Sequence, residues 1–297
     1  MCATCGCGDD AGTRLTLYPD STGWQPHDHG GGHDHDHGGG HDHDHDHGGD
    51  HDHPHDHHHI HLAGGDPAAG GTAGRTVILE QQILAKNASL AERNRQWLED
   101  RGVVAVNLMS SPGAGKTTLL EQTIAGLPGG QPIAVIEGDQ ETQLDAERIT
   151  TAGRPVIQVN TGAGCHLDAD MIQRALEALD PEPGTLVFIE NVGNLVCPAL
   201  FDLGEAQRVV LASVTEGADK PSKYPHMFRN AGLVLLNKMD LLPYVTFDVD
   251  RFSSDVHQLN PAATISPITA TAVDTLLPWF DWLAAAQTRR SGAPVLT

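Results

Sequence analysis

Apolar positions fall into two regimes along the chain. From Arg75 onward, short apolar runs alternate with stretches in which apolar residues recur at helical spacing; before it, apolar side chains are sparse. The runs at 103–109, 133–137, 156–160, 186–189, 209–214, 233–236 and 264–268 predict buried strands. Helical spacing predicts a helix over 77–100, where Ile78, Ile83, Leu84, Leu90, Trp97 and Leu98 recur. Two of its faces carry apolar residues, so it packs on the sheet by default or else on a second subunit. Further helices are predicted to start at Thr117, over 168–179 with Asp168 as N-cap, and over 273–286. Strands that alternate with helices predict an α/β fold, a doubly wound and mostly parallel sheet, with the functional loops at the strand C-termini.

The first strong strand runs into Ser110-Ser-Pro-Gly113-Ala114-Gly115-Lys116-Thr117-Thr118. Strand, glycine-rich turn and helix start form the setting of a phosphate-binding P-loop, whose backbone N–H groups converge on a polyphosphate. Lys116 reaches the β and γ phosphates, and the Thr117 hydroxyl ligates Mg²⁺. Ser110 stands where the pattern has its first glycine. Asn237-Lys238-Met-Asp240 follows a later strand. A carboxylate at Asp240 accepts from guanine N1–H and N2–H₂, a donor pair that adenine lacks, which selects GTP over ATP. Asn237 suits N7 and O6, and the Lys238 stem covers the ring. Asp240 has a second reading as a helix N-cap before Leu241-Leu242. Glu190 ends another strand and reaches Mg²⁺ through water, while Gly193 lets the backbone meet the γ-phosphate. Asp139, ending Glu137-Gly-Asp139, is a second Mg²⁺-side candidate. Asp139 and Glu190 also read as turn or capping residues.

Composition adds metals and removes partners. Net charge is −21 with His neutral; residues 1–66 hold Arg14 and 13 Asp, hence −12, and the remainder carries −9. An acidic chain does not bind nucleic acid without sequence preference. No apolar run is long enough to span a membrane, and the N-terminus lacks the features of a secretory signal. Five cysteines, at positions 2, 5, 7, 165 and 197, read as reduced thiols in a cytoplasmic protein with metal ligation as their use. Cys2, Cys5 and Cys7 are three soft ligands suited to Zn²⁺, Ni²⁺ or Cu⁺, and a nitrogen as fourth ligand favours square-planar Ni²⁺. Residues 27–61 hold 16 of the 19 histidines and 9 aspartates. Such a segment builds no core, is expected to be disordered, and suits buffering of divalent ions. The expected organisation is a thiol motif at 1–8, a disordered His/Asp-rich segment and Gly/Ala/Pro linker at 9–74, and a P-loop domain at 75–290. Cys165, His166 and Cys197 follow two strands of the same sheet and suit a transition metal. Three ligands do not close a tetrahedral site, so two subunits face to face would share ions, unless the thiols are simply buried apolar groups. The glycosylation pattern at Asn87-Ala-Ser89 is a chance match.

These motifs together resemble the HypB family, the GTPase accessory proteins for nickel insertion into nickel–iron hydrogenase. The resemblance covers residues 1–8 and most of 75–282. It rests on the thiol motif, the P-loop, Glu137-Gly-Asp139 with Asp145-Ala-Glu-Arg148, Gly164-Cys-His-Leu-Asp168, the stretch from Glu190 to Cys197-Pro, the stretch from Glu216 to Pro225, and Asn237 to Asp240. It implies tight Ni²⁺ binding by Cys2, Cys5 and Cys7 with the terminal amine, and a second Ni²⁺/Zn²⁺ site at Cys165, His166 and Cys197. It also implies a homodimer on GTP binding; slow GTP turnover to GDP is expected because it suits one delivery event. A HypA-type nickel accessory protein and the hydrogenase large subunit are the implied partners. Thr269-Ala-Thr271 occupies the place of the family's Ser-Ala-Lys guanine loop. Lys220 and Lys223 have no evident role. The rivals are the urease GTPase UreG, whose Cys-Pro-His is here Cys165-His166 without the proline, and a nickel storage protein whose GTPase fold is idle.

Overall fold

The computed structural model describes residues 13–18, 71–128, 130–139, 144–162 and 164–290. Among the described residues, 13–18 and those from Glu80 onward belong to one compact unit. The thiol motif at Cys2, Cys5 and Cys7 and the His-rich segment lie outside the described residues.

In chain order the elements are β1 Arg14–Tyr18, α1 Gly71–Asp100, β2 Val104–Ser110, α2 Lys116–Gly126, β3 Ile133–Asp139, α3 Leu144–Thr151, β4 Val156–Asn160, α4 Ala169–Leu179, β5 Leu186–Glu190 and β6 Gln207–Ser213. They continue with α5 Lys220–Lys223, α6 Pro225–Arg229, β7 Leu233–Asn237, α7 Val249–Leu259, β8 Thr264–Pro267 and α8 Leu277–Arg290. The strands form one sheet in the order β1-β4-β3-β5-β2-β6-β7-β8. Every pairing is parallel except β1 on β4.

Helices on both faces bury the central strands, which explains their continuous apolar runs. Val104, Val106 and Leu108 of β2 join Val135, Phe188, Leu211 and Leu235 under α2, α3 and α8. Alternate residues such as Ala105, Ile136, Val187 and Ile189 face the other way, against α1 and α4. Farther along that face Val210 and Val234 meet α6 and α7. Trp279 of α8 is fully buried, and its indole N–H donates to Thr123 Oγ1 at 2.8 Å, tying α8 to the P-loop helix.

Two expectations are corrected. Residues 14–18 lie in the segment expected to lack structure, yet they form β1, with Arg14 opposite Asn160 and Tyr18 opposite Val156. Leu15 and Leu17 pack on one face and Tyr18 on the other, a period of two too short to stand out in its polar surroundings. Helix α1 starts at Gly71, inside the predicted linker. Its buried residues, Asn87, Leu90, Ala91, Asn94 and Leu98, form one face, and two of them are polar. Asn87 donates to Asp202 O at 2.7 Å and accepts from Ala169 N at 2.8 Å. It is therefore a structural residue and no glycan acceptor in this fold.

Candidate nucleotide and metal site

β2 ends at Ser110, which is fully buried. A residue that still belongs to the strand needs no glycine backbone, so the departure from the P-loop pattern is harmless. The side chain is used: Lys116 Nζ donates to Ser110 Oγ at 3.0 Å, and Ser110 Oγ donates to Ser111 O at 2.6 Å. The loop then turns through Gly113 at φ 73° and Gly115 at φ 107°, a left-handed region that side chains resist. A Cβ on Gly115 would also lie 2.6 Å from Asn237 Nδ2. Gly193 comes so close to the loop that a Cβ there would sit 3.0 Å from Pro112 Cα.

Pro112, Gly113, Gly115, Lys116 and Gly193, with Thr118, Asp139, Arg148 and Asn191, line a cavity of about 470 Å³, a size fit for a small-molecule ligand. On one wall Thr117 Oγ1 donates to Glu190 Oε1 at 2.9 Å. Glu190 stands opposite Glu137 in the β3–β5 register, and both carboxylates are buried. Two neighbouring carboxylates and a hydroxyl are hard oxygen donors, the chemistry Mg²⁺ requires. Glu137, two residues before Asp139 and on the same strand face, was missed from sequence; an acid inside an apolar strand run was its signal. Arg148 was missed too. Its guanidinium holds Glu121 of α2 through Nε at 3.0 Å and Nη2 at 2.7 Å, at the rim of the cavity.

Glu216 adds a carboxyl beside the P-loop. Burial pushes its pKa up, against the nearby Ser111 hydroxyl and the charges of Lys220, Lys238 and Lys116. Lys220 lies 5.4 Å over the Tyr224 ring, and Lys223 pairs with Asp219 at 2.6 Å.

At the base-recognition end, Asn237 is buried and both ends of its amide are engaged. Nδ2 donates to Ala114 O at 2.8 Å, and Oδ1 accepts from Ala270 N at 2.9 Å. Asn237 thus straps the P-loop to residues 269–271, a task beside the contact with N7 and O6 expected from sequence. Lys238 adopts φ 62° and donates to Gly113 O at 2.8 Å. Asp240 is exposed and lies in the first turn of a 3-10 helix, Met239–Tyr244, whose cap position is Lys238. The alternative reading of Asp240 as the cap is therefore set aside. Its backbone N–H donates to Thr269 Oγ1 at 3.3 Å, so the Thr269-Ala-Thr271 loop does stand beside it.

The metal candidates converge. Cys165 Sγ lies 2.9 Å from Cys197 Sγ and 3.7 Å from His166 Nδ1, and the three ligand atoms all lie within 4.8 Å of one another. Both thiols are half-buried, which does not fit purely apolar packing. His166 is buried against Phe201, their rings 3.9 Å apart. Burial pulls its pKa down, with Asp168 opposing, so the imidazole favours the neutral form that ligates metals. Two sulfurs and a nitrogen suit Ni²⁺ or Zn²⁺ and leave a coordination position open. Among the described residues, no helix is long and apolar enough to cross a membrane.

A phosphate cradle on the central strand of a doubly wound sheet places the chain in the class of P-loop nucleotide-binding proteins. Comparison with known proteins narrows this. The family described as CobW/HypB/UreG, nucleotide-binding domain, matches residues 104–267. Hydrogenase maturation factor HypB of Escherichia coli K12 is 52% identical over 223 residues, covering 75% of this chain and 77% of its own. The crystal structure of hydrogenase maturation factor HypB from Archaeoglobus fulgidus is similar at a TM-score of 0.64 and 41% identity, over 68% of this chain and 99% of that one. HypB from Helicobacter pylori in complex with nickel matches at a TM-score of 0.64 and 35% identity, over 71% and 99%. The chain belongs to the HypB hydrogenase maturation factor family.

Proposed function

We propose that the protein is a GTP-hydrolysing nickel chaperone that delivers Ni²⁺ during maturation of nickel–iron hydrogenase. The observation that carries this is one segment, residues 190–197. It opens with Glu190 hydrogen-bonded to Thr117 of the P-loop and ends with Cys197 against Cys165. A segment anchored at both places relays nucleotide state to a metal ligand.

In this reading Lys116 leaves Ser110 Oγ for the β and γ phosphates, and Asp240 selects guanine. Mg²⁺, held by Thr117 with Glu190, Glu137 and Asp139 beside it, would neutralise phosphate charge. Gly193 gives the γ-phosphate access to a backbone N–H. Ni²⁺, or Zn²⁺ in its place, is carried by Cys165, His166 and Cys197, and Cys2, Cys5 and Cys7 form a separate soft site. Binding of GTP favours a homodimer that completes the metal coordination, and slow hydrolysis to GDP times release. A HypA-type accessory protein and the hydrogenase large subunit are the proposed receivers, in the cytoplasm.

Purified full-length protein tests this. GTP turnover abolished by Lys116→Ala, together with a lowered nickel stoichiometry in Cys165→Ala, supports the reading. Nickel binding with no GTP turnover would instead make the protein a store.

A further inference from the structure

The nucleotide cavity and the metal cluster meet at one buried amide. Asn191 lines the cavity between Glu190 and Val192, and it is 1% exposed. Its Oδ1 accepts from its neighbour Val192 N at 3.0 Å and from Leu167 N at 3.3 Å. Leu167 directly follows His166. On its other side, Asn191 Nδ2 donates to Asn107 Oδ1 at 3.3 Å, and Asn107 donates to Glu205 Oε1 at 3.2 Å. Glu205 is held in turn by Leu203 N at 2.8 Å and by the guanidinium of Arg208. The amide is therefore fixed from the sheet side and reaches toward both functional sites.

A second contact crosses the same boundary. A Cβ on Gly138, between the cavity residues Glu137 and Asp139, would lie 2.7 Å from the Leu167 side chain. The loop that carries Cys165 and His166 is thus pressed against one nucleotide-facing strand end and hydrogen-bonded to the next. Farther along the segment, Asn194 donates to Cys165 O at 3.3 Å and accepts from Val196 N at 2.9 Å.

We infer that Asn191 is the positioning residue that couples nucleotide state to metal affinity. The inference rests on the chaperone reading above. Movement of residues 191–193 toward a γ-phosphate draws the Asn191 carboxamide with it. The Leu167 N–H then either follows, displacing His166 and Cys165 relative to Cys197, or loses the acceptor that holds their loop in place. Both ligands bias one short element, which is the physical condition for coupling between sites. Reciprocity then requires the bound metal to change the affinity for GTP over GDP by the same factor.

The test uses the full-length chain with Cys2, Cys5 and Cys7 replaced by Ala, so that Cys165 and Cys197 are the remaining thiols. Thiolate-to-nickel charge-transfer absorption then reports only their site, since imidazole and carboxylate do not give it. Nickel affinity is measured with a non-hydrolysable GTP analogue and with GDP. The ratio of the two affinities is the readout, compared between this background, Asn191→Ala and Asn94→Ala. Asn94 is a buried control on α1: it donates to Ala169 O and Leu203 O, away from the cavity. The ratio is expected to fall toward one in Asn191→Ala and to persist in Asn94→Ala, although both lose buried hydrogen bonds. A buried neutral hydrogen bond corresponds to about a fivefold factor, which sets the resolution needed. Should the alanine variant not fold, Asn191→Ser, whose hydroxyl falls short of Leu167, is read in the same way. A ratio that survives at Asn191, or is lost equally at Asn94, overturns the inference alone. A ratio of one before any of these substitutions overturns the chaperone switch and the inference with it.

Discussion

Replacing Asn237 by Ala removes the strap between the P-loop and the guanine-side loop. Two hydrogen bonds, of 2.8 and 2.9 Å, disappear from a side chain that is 2% exposed. Ala114 and Ala270 are themselves buried, at 0% and 4% exposure, so little water reaches the carbonyl and the N–H left behind. Each orphaned buried group costs about 1–3 kcal/mol, for a total on the order of 2–6 kcal/mol. In a domain of this size that loss lowers Tm by roughly 4–24 °C. The same loosening of the phosphate cradle weakens GTP by about tenfold or more, each decade being about 1.4 kcal/mol. Differential scanning calorimetry and titration with fluorescent GTP measure the two effects. Asn237→Asp sharpens the test. It keeps the shape and the acceptor for Ala270 N, but turns a carboxylate oxygen onto Ala114 O, so it should be destabilised as well. An Asn237→Ala protein with wild-type Tm and wild-type GTP affinity would refute the assignment of Asn237 as a strap.

Asp240→Asn, at an exposed position, should leave Tm unchanged within about 0.5 kcal/mol of stability while shifting preference from guanosine toward xanthosine triphosphate in competition binding. Cys197→Ser should remove the nickel bound at Cys165 and His166 without touching the N-terminal thiols, so stoichiometry by elemental analysis drops but does not vanish. Burial raises the pKa of Glu216. Its folded form therefore holds a proton more tightly than the unfolded chain, and ionisation costs stability as pH rises above the ordinary carboxylate range. Glu216→Gln should accordingly raise Tm at pH 7, with the gain disappearing in acid; a gain independent of pH would contradict the burial argument.

Features with local signals were legible in the sequence. The strand–turn–helix around Lys116, the strand carrying Asn237 and the alternation of strands and helices depend on neighbours in the chain, and the sheet follows from them. The expected strand ends fell short by a residue or two at Asp139, Glu190 and Asn237, because a polar residue ends an apolar run without ending the ladder. What sequence could not supply was pairing. Glu137 meets Glu190 only because β3 lies beside β5, and Asn191 meets Leu167 only because β4, β3 and β5 are neighbours in that order. Burial of Asn87, Asn94, Asn107 and Asn191 ran against the polar character on which pattern reading depends. Helix α7 passed unread although Phe252 and Val256 sit one turn apart and Asp248 accepts from Arg251 N at 2.9 Å. With two fully buried side chains among polar ones, its stripe is thin.

The central claim is that GTP hydrolysis governs when the metal at Cys165, His166 and Cys197 leaves. The most direct measurement follows nickel–thiolate absorbance and phosphate release together during a single turnover of the nickel-loaded protein, with an acceptor chelator present. The account predicts that absorbance falls at the rate of phosphate release and stays high with a non-hydrolysable analogue. Loss of nickel at the same rate with GTP, analogue or no nucleotide would contradict it.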